Sequence, residues 1–232
     1  MYRLIKRVFD ILAAGLGLLL SAPLWLIIVV GIKISSRGPV LYTSERIGQG
    51  RQPFEFYKFR SMHVYQPGED GLKAEKGYIA NDDRIFPFGR FLRKSKLDEL
   101  PQLVNILKGE MSPVGPRPVP ITSAERNYVG RYSCILDVKP GLACLDSLFD
   151  YAHGELFISD NEEYKEKIVP VRNELARMYV SHRNIFLDMY CIGRTVKLIV
   201  QIVISKKKDF PYTWYEKQAS RAVFGSAQNT QE

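Results

Sequence analysis

The sequence predicts a mixed α/β, membrane-associated chain: an N-terminal membrane helix, either re-entrant or crossing, a β-hairpin, and several amphipathic helices. Three observations predict it. Residues 11–32 (ILAAGLGLLLSAPLWLIIVVGI) carry no charge. Segments 40–45 and 54–60 follow period two, and apolar residues recur at three- and four-residue steps from Leu97 and again from Ile185.

As a helix, the apolar run of 22 residues reaches ~33 Å, enough for a hydrocarbon core of ~30 Å. It is too long for a cleaved signal segment. Pro23, in its middle, removes a backbone hydrogen bond and predicts a kink, with Ser21 placed to satisfy a freed carbonyl. Basic residues flank both ends, Arg3, Lys6 and Arg7 before and Lys33 and Arg37 after. A span has its cations biased to one side. The symmetric flanks therefore fit a bent helix with both ends on the cytoplasmic face as well as a crossing helix.

After Gly38-Pro39, residues 40–45 and 54–60 (FEFYKFR) read as two strands joined by a turn at 48–51. Lys58 and Arg60 share one strand face, either lining an anion site or forming a charged outer surface. Residues 66–80 read as a flexible polar loop. Asp82 and Asp83 suit a helix cap or a metal. Phe86, Phe88 and Phe91, interleaved with Arg90, Arg93 and Lys94, suit a segment at lipid-headgroup level.

Leu97, Leu100, Val104 and Leu107 predict a helix over 98–108 with Pro101 in its first turn, which puts Asp98 at the N-cap. A carboxylate there is stabilised as the anion by free amides and the helix dipole, and is available as nucleophile or metal ligand. Asp98-Glu99 also suit a simple cap with a solvated neighbour. Pro116-Arg117-Pro118 fixes the backbone on both sides of one arginine, which suits either a guanidinium held against phosphate or a rigid exposed turn.

Residues 162–179 read as a charged amphipathic helix interrupted at Pro170. Ile185, Met189, Ile192, Val196, Ile199 and Val203 form a second helical stripe, followed by Lys206-Lys207-Lys208, that suits either the core or a membrane surface. The end after Gln218 is polar and reads as disordered. The organisation expected is a membrane helix with basic flanks (1–37), a catalytic domain (38–209) and a C-terminal tail (210–232).

The 232 residues carry a net charge of +8 and a pI near 9.3, so the partner sought is anionic: nucleic acid, an acidic membrane or a phosphorylated substrate. Three widely spaced cysteines without CxxC fit a reduced, cytosol-facing protein and argue against a disulfide scaffold or zinc site. No HExxH, GxGxxG or Walker pattern occurs. No recognition-helix or RNP-like pattern supports nucleic acid.

With these residues in view, the chain resembles the bacterial sugar transferase family of small, monotopic polyprenyl-phosphate phosphoglycosyl transferases. The matching pieces are KRVFDILAAGLGLLLSAPLWLIIVVGIKISSRGPVLY, RIGQGRQPFEFYKFRSM, DDRIFPFGRFLRKSKLDELPQLVNILKGEMSPVGPRP, VKPGL and, more weakly, FLDMYCIGRTVKLI. The resemblance implies transfer of a sugar-1-phosphate from a nucleoside diphosphate sugar to polyprenyl phosphate, with release of a nucleoside monophosphate. It implies Asp98 as nucleophile through a phosphoaspartyl intermediate, Glu99 as its partner in the second step, and Mg²⁺ associated with Asp98. Arg93 would anchor phosphate, Pro116-Arg117-Pro118 would lie near the nucleotide, and Lys58, Arg60 and Arg90 are further substrate-binding candidates. It implies a re-entrant membrane helix broken near a Ser-Pro pair, here Ser21 and Pro23, and short amphipathic helices at the cytoplasmic membrane face, in the bacterial inner membrane with the catalytic domain facing the cytoplasm. Expected partners are the sugar nucleotide, undecaprenyl phosphate and membrane lipids, with a second copy of the chain as a further candidate.

Two departures stand out. Ser21 lies one residue early, and residues 142–155 (LACLDSLFDYAHGE) lack the Thr-Gly, aromatic and Asn-Gly-Arg usual after VKPG. The second departure bears on the donor site and keeps a second expectation in play, a non-catalytic assembly or regulatory subunit on the same fold.

Overall fold

The computed structural model describes residues 2–64, 84–153, 161–204 and 210–225. The expected loop over 66–80, Asp82, Asp83 and the triple lysine lie outside the described residues. The apolar run forms one helix, α1 (Tyr2–Ser35), which continues through Pro23. Ser21 does not take the part expected of it. A helical serine reaches the carbonyls three or four residues back, and Ser21 Oγ donates to Leu18 O at 3.3 Å. The carbonyl that loses its helical donor to Pro23 is that of Leu19, which is out of that reach. Ser21 instead accepts Trp25 Nε1–H at 3.1 Å, and the indole meets Phe59 edge-on at 4.9 Å.

One face of α1 is packed on the rest of the chain along its length. At its start, Lys6 Nζ lies 2.9 Å from Asp188, and Arg7 donates to the Ile106 and Leu107 carbonyls at 2.7 and 2.8 Å. Buried Asp10 accepts from Ser112 Oγ at 2.9 Å. Midway, Ala14 packs with Phe54, Phe56, Ile106 and Met111. Near its end, Ile28 and Ile32 pack with Phe59, Phe86 and Leu92. A Cβ on Gly31 would lie 2.5 Å from the Phe88 ring, so a side chain there would force that ring to move. The opposite face, including Leu12, Leu19, Leu20 and Ile27, is exposed. By length and composition α1 could cross a membrane.

The predicted hairpin is present. Strands β1 (Leu41–Ile47) and β2 (Pro53–Phe59) pair antiparallel, and Gly50 and Arg51 take positive φ in the turn. Arg60, just past β2, is buried and donates to Ser36 Oγ at 2.7 Å, Ser36 O at 2.8 Å and Pro39 O, beneath the Phe86 ring. It ties the end of α1 to the hairpin.

Helix α2 (Pro87–Ser95) follows, then a single 3₁₀ turn at Leu97–Glu99, and α3 (Gln102–Lys108). Phe86, expected at headgroup level, is fully buried against the apolar end of α1, whereas Phe91 is exposed. The residues that α3 buries are Gln102, Asn105 and Ile106, not its leucine stripe. Asn105 repays burial by bonding the hairpin: its Nδ2 donates to Glu55 O at 2.6 Å and its Oδ1 accepts Tyr57 N–H at 3.2 Å.

A second, unforeseen sheet pairs β3 (Ser112–Val114) parallel with β4 (Gly141–Ala143), spanning α4 (Ile121–Asn127) and a 3₁₀ segment at Gly130–Asp137. Helix α5 (Leu145–His153) follows β4 directly. A helical turn α6 (Asn161–Glu163) leads through a π turn at Tyr164–Ile168 into α7 (Val169–His182). Pro170 sits where the α-helix restarts, so its missing N–H disturbs nothing further on. Helix α8 (Ile185–Val203) matches its expected bounds. It buries Leu187, Cys191 and Leu198, leaving Met189, Val196 and Val200 of the other side exposed. Residues 219–224 are helical, not the disordered end expected after Gln218, and 226–232 lie outside the described residues. Helix α9 (Trp214–Phe224) opens with a Thr213/Glu216 capping box and buries Ala219 in the core with Phe149, Leu175 and Tyr179.

Arg60→Met strips donors from the buried Ser36 carbonyl and hydroxyl and from the Pro39 carbonyl, at a cost of about 3 kcal/mol. The expected outcome is a Tm lower by about 6–12 °C in a thermal melt of the purified protein.

Candidate functional site

The two acids follow a strained residue. Lys96 has φ 58°, a left-handed conformation that ends α2 and turns the chain into the 3₁₀ turn. Asp98 and Glu99 thus face inward, both buried. This corrects the expectation of an Asp98 N-cap: α3 starts at Gln102 with Pro101 before it, and no free helical amides meet Asp98. Burial pushes the Asp98 carboxyl above its ordinary range, aided by the Glu99 charge and opposed by Lys58, Lys96 and Arg93.

Around the pair stand cations from three places. Lys58, on β2, lies 3.0 Å from Glu99 Oε1 and 3.9 Å from Asp98 Oδ2. Arg117 Nη2 lies 3.6 Å from Glu99 Oε1. Lys96 Nζ lies 3.8 Å above the centroid of the Tyr151 ring. Burial opposes the Glu99 charge, but Lys58, Arg117 and Lys96 together hold its carboxyl well below the usual range. Both Glu99 oxygens have partners, since Tyr151 donates to Oε2 at 3.4 Å. Asp98 Oδ1, by contrast, is buried with no hydrogen-bond partner among the described residues.

Arg117 is delivered by a close backbone crossing. The Gly115 N–H bonds Ala143 O at 3.0 Å and Gly141 N–H bonds Pro116 O at 2.9 Å. A Cβ on Gly115 would fall 2.3 Å from Lys139 O, and one on Gly141 2.2 Å from Gly115 N, so neither position tolerates a side chain. The Arg117 N–H then donates to the buried Asp146 Oδ2 at 3.0 Å, and its Nη1 donates to Tyr151 Oη at 3.2 Å. Helix α5, which carries Asp146 and Tyr151, is braced through Asp150. That carboxylate accepts from Tyr164 Oη at 2.6 Å and lies 3.7 Å from Arg172.

The structure thus brings Lys58, Asp98, Glu99 and Arg117 together, with Pro116 and Pro118 holding Arg117 in place, and sets the Arg93 charge near enough to act on Asp98. Arg60 is elsewhere, committed to carbonyls at the foot of α1. Arg90 is exposed on α2. Ser21 and Pro23 lie within α1. Sequence reasoning did not place Lys96 among the site residues, and it did not single out Tyr151 and Asp146 within the segment 142–155. Its available signal was the pair Asp146 and Asp150, one helical turn apart in an apolar segment.

The geometry defines a buried acid pair ringed by Lys58, Lys96, Arg93 and Arg117. The profile of the family described as "Bacterial sugar transferase" matches residues 1–202, and the chain belongs to that family. It is 37% identical over 193 residues to a UDP-glucose:undecaprenyl-phosphate glucose-1-phosphate transferase of Klebsiella pneumoniae, covering 82% of this chain and 39% of that one. It is 34% identical over 206 residues to a UDP-N-acetylgalactosamine-undecaprenyl-phosphate N-acetylgalactosaminephosphotransferase of Aeromonas hydrophila, covering 86% and 44%. It is 33% identical over 205 residues to the exopolysaccharide production protein ExoY of Rhizobium meliloti (strain 1021), covering 84% of each. The chain thus spans less than half the length of the first two relatives.

Arg172, Arg117 and the Tyr164 hydrogen bond outweigh burial and hold the Asp150 carboxyl below its ordinary value of 3.8. A carboxylate whose folded pKa is depressed stabilises the fold above its unfolded value and loses that contribution as pH falls through the folded one. The Tm deficit of Asp150→Asn is therefore expected to be full at about pH 6 and to shrink below about pH 4, read from thermal melts across that range.

Proposed function

We propose that this protein transfers a sugar-1-phosphate from a nucleoside diphosphate sugar, of the UDP-sugar class, to undecaprenyl phosphate at the bacterial inner membrane. This is the first membrane step of exopolysaccharide or glycoconjugate synthesis. The observation that carries the reading is the buried Asp98 Oδ1, which has no hydrogen-bond partner although Lys58, Lys96, Arg93 and Arg117 surround the acid pair. A buried oxygen left unpaired amid cations is set up to bond something that arrives with its own charge.

In the proposed first step Asp98 attacks the sugar-bearing phosphorus. The Asp98 O–P bond forms, the bond to the bridging oxygen breaks, and UMP leaves with that oxygen. In the second step a phosphate oxygen of the lipid carrier attacks the same phosphorus, yielding the lipid diphosphate sugar and freeing the Asp98 carboxylate. Covalent catalysis divides one hard displacement into two easier ones. Lys58, Arg93 and Arg117 neutralise the phosphate oxygens, which is the main work of a protein in phosphoryl transfer. With both its oxygens engaged, Glu99 serves best by orienting Lys58 and Arg117.

Mg²⁺ fits these residues. The ion binds through one or two carboxylates and substrate phosphates, and Asp98 Oδ1 supplies one such oxygen. Bound there, Mg²⁺ would neutralise charge on the transferred phosphate. Among the described residues no group of three or more His, Cys, Asp or Glu could hold a metal by itself.

We read α1 as re-entrant. Both of its ends dock on one body, through Lys6 and Arg7 at one and Ile28 and Ile32 at the other. A helix crossing the bilayer would carry its far end away from that body. The exposed faces of α1 and α8 and the Phe91 ring supply the apolar surface for lipid. This division treats 1–37 as the membrane helix, 38–209 as the catalytic part and the rest as an appended helix.

Purified full-length protein in nanodiscs, given undecaprenyl phosphate, Mg²⁺ and a panel of UDP-sugars, is expected to release UMP with at least one donor. Asp98→Asn should lower that release by about 10³-fold or more. No release with any donor, or release that survives Asp98→Asn, would falsify the mechanism and favour a non-catalytic subunit. For topology, Arg3→Cys and Arg37→Cys, each introduced into a Cys134→Ser background, should both be labelled from the cytoplasmic side by a membrane-impermeant maleimide. Labelling from opposite sides would refute the re-entrant helix.

A further inference from the structure

Tyr151 has no part in the two displacement steps, yet its side chain stands between two charged groups that serve them. Arg117 Nη1 donates to its hydroxyl at 3.2 Å, and that hydroxyl donates to Glu99 Oε2 at 3.4 Å. Arg117 Nη2 meanwhile stops 3.6 Å from Glu99 Oε1, an ion pair outside hydrogen-bond reach. An arginine and a carboxylate free to close make a two-pronged contact at roughly 2.7–2.9 Å. Here the phenol occupies the approach.

The ring has nowhere to retreat. It is buried, and Lys96 Nζ lies 3.8 Å above its centroid. Helix α5 is held on its other sides by Asp150, which bonds Tyr164, and by the stack of Phe149, His153 and Tyr212. With Lys58 at 3.0 Å on Oε1, Oε2 is the Glu99 oxygen most open to a second strong partner, and the phenol fills it.

We propose that Tyr151 is a positioning residue that stops Arg117 from closing onto Glu99, and so keeps the guanidinium fork available to the diphosphate of a nucleotide. The inference rests on reading the site as one for nucleoside diphosphate sugars. A collapsed Arg–Glu pair would have to be broken by each incoming diphosphate. The apparent affinity then falls by the fraction of molecules in the open arrangement. Burial pushes the phenol pKa well above its ordinary value, so the hydroxyl keeps its proton for Glu99.

The test is a four-protein cycle with UDP as the probe, Mg²⁺ present, and binding to the full chain in nanodiscs followed by calorimetry. Tyr151→Phe keeps the ring under Lys96 and removes only the hydroxyl. In the unsubstituted background it is expected to weaken UDP by about 5–10-fold. In a Glu99→Gln background, where a neutral amide cannot trap the arginine, the same change should alter affinity by less than about two-fold. A merely structural role for the hydroxyl would cost the same in both backgrounds. Equal losses, unchanged affinity in Tyr151→Phe, or no UDP binding by the unsubstituted protein each overturns the proposal. The transfer reading fails separately. UDP binding with the expected cycle but no UMP release from any UDP-sugar would sink transfer and leave the spacer standing. Turnover with unaltered UDP affinity in Tyr151→Phe would do the reverse.

Discussion

The contact between the Glu99 carboxylate and its cations is the constraint on which the site depends. A buried carboxylate is costly unless charges and hydrogen bonds surround it, and Glu99 draws its partners from separate parts of the chain. Lys58 comes from the hairpin, Arg117 from the turn after β3, and Tyr151 from α5. Removing a partner leaves the buried charge less well compensated, so each element is tied to the others by a penalty and not only by packing. Asp98 gains from this arrangement without sharing it. Its neighbour absorbs the strongest cation contacts, and one Asp98 oxygen is left unpartnered.

Supporting geometry is concentrated where the backbone has no slack. Lys96 turns the chain left-handed immediately before the acids, and Gly115 and Gly141 pass so closely that a methyl group would not fit. These features set the direction in which Asp98, Glu99 and Arg117 leave the backbone, whereas the hydrophobic clusters set only the relative position of the elements. Asn105 does related work in the interior, where a polar side chain joins α3 to β2 more specifically than a leucine would.

Legibility in the sequence followed the range of the interactions. Helix α8 could be bounded because its period persists over its whole length, and the β1–β2 hairpin because its partners are neighbours joined by a Gly-rich turn. The acid pair, Lys58 and Arg117 were legible as chemistry-bearing residues, though the Asp98 N-cap was not correct, because Lys96 ends α2 in a conformation that no local pattern announces. The β3–β4 pair is three residues on each strand, too short for periodicity, and joins distant segments. Tyr151 and Asp146 were invisible for the same reason: they matter only once α5 is folded against the turn bearing Arg117. Arg60 misled in the opposite sense, since its cation on a strand face looks like a ligand but is consumed by the carbonyls of Ser36 and Pro39.

The seating of α1 along the body has a consequence for how the enzyme proposed here would meet its lipid. A domain hung on a flexible tether samples many heights and tilts above a bilayer, and each encounter with an embedded phosphate must find the right one. With Arg7 bound to the end of α3 and Ile32 packed under Phe86, the helix and the acid pair move as one rigid piece. The depth at which the helix settles then sets the altitude of Asp98. On the proposed reading, the search for the carrier would then be sliding in a plane.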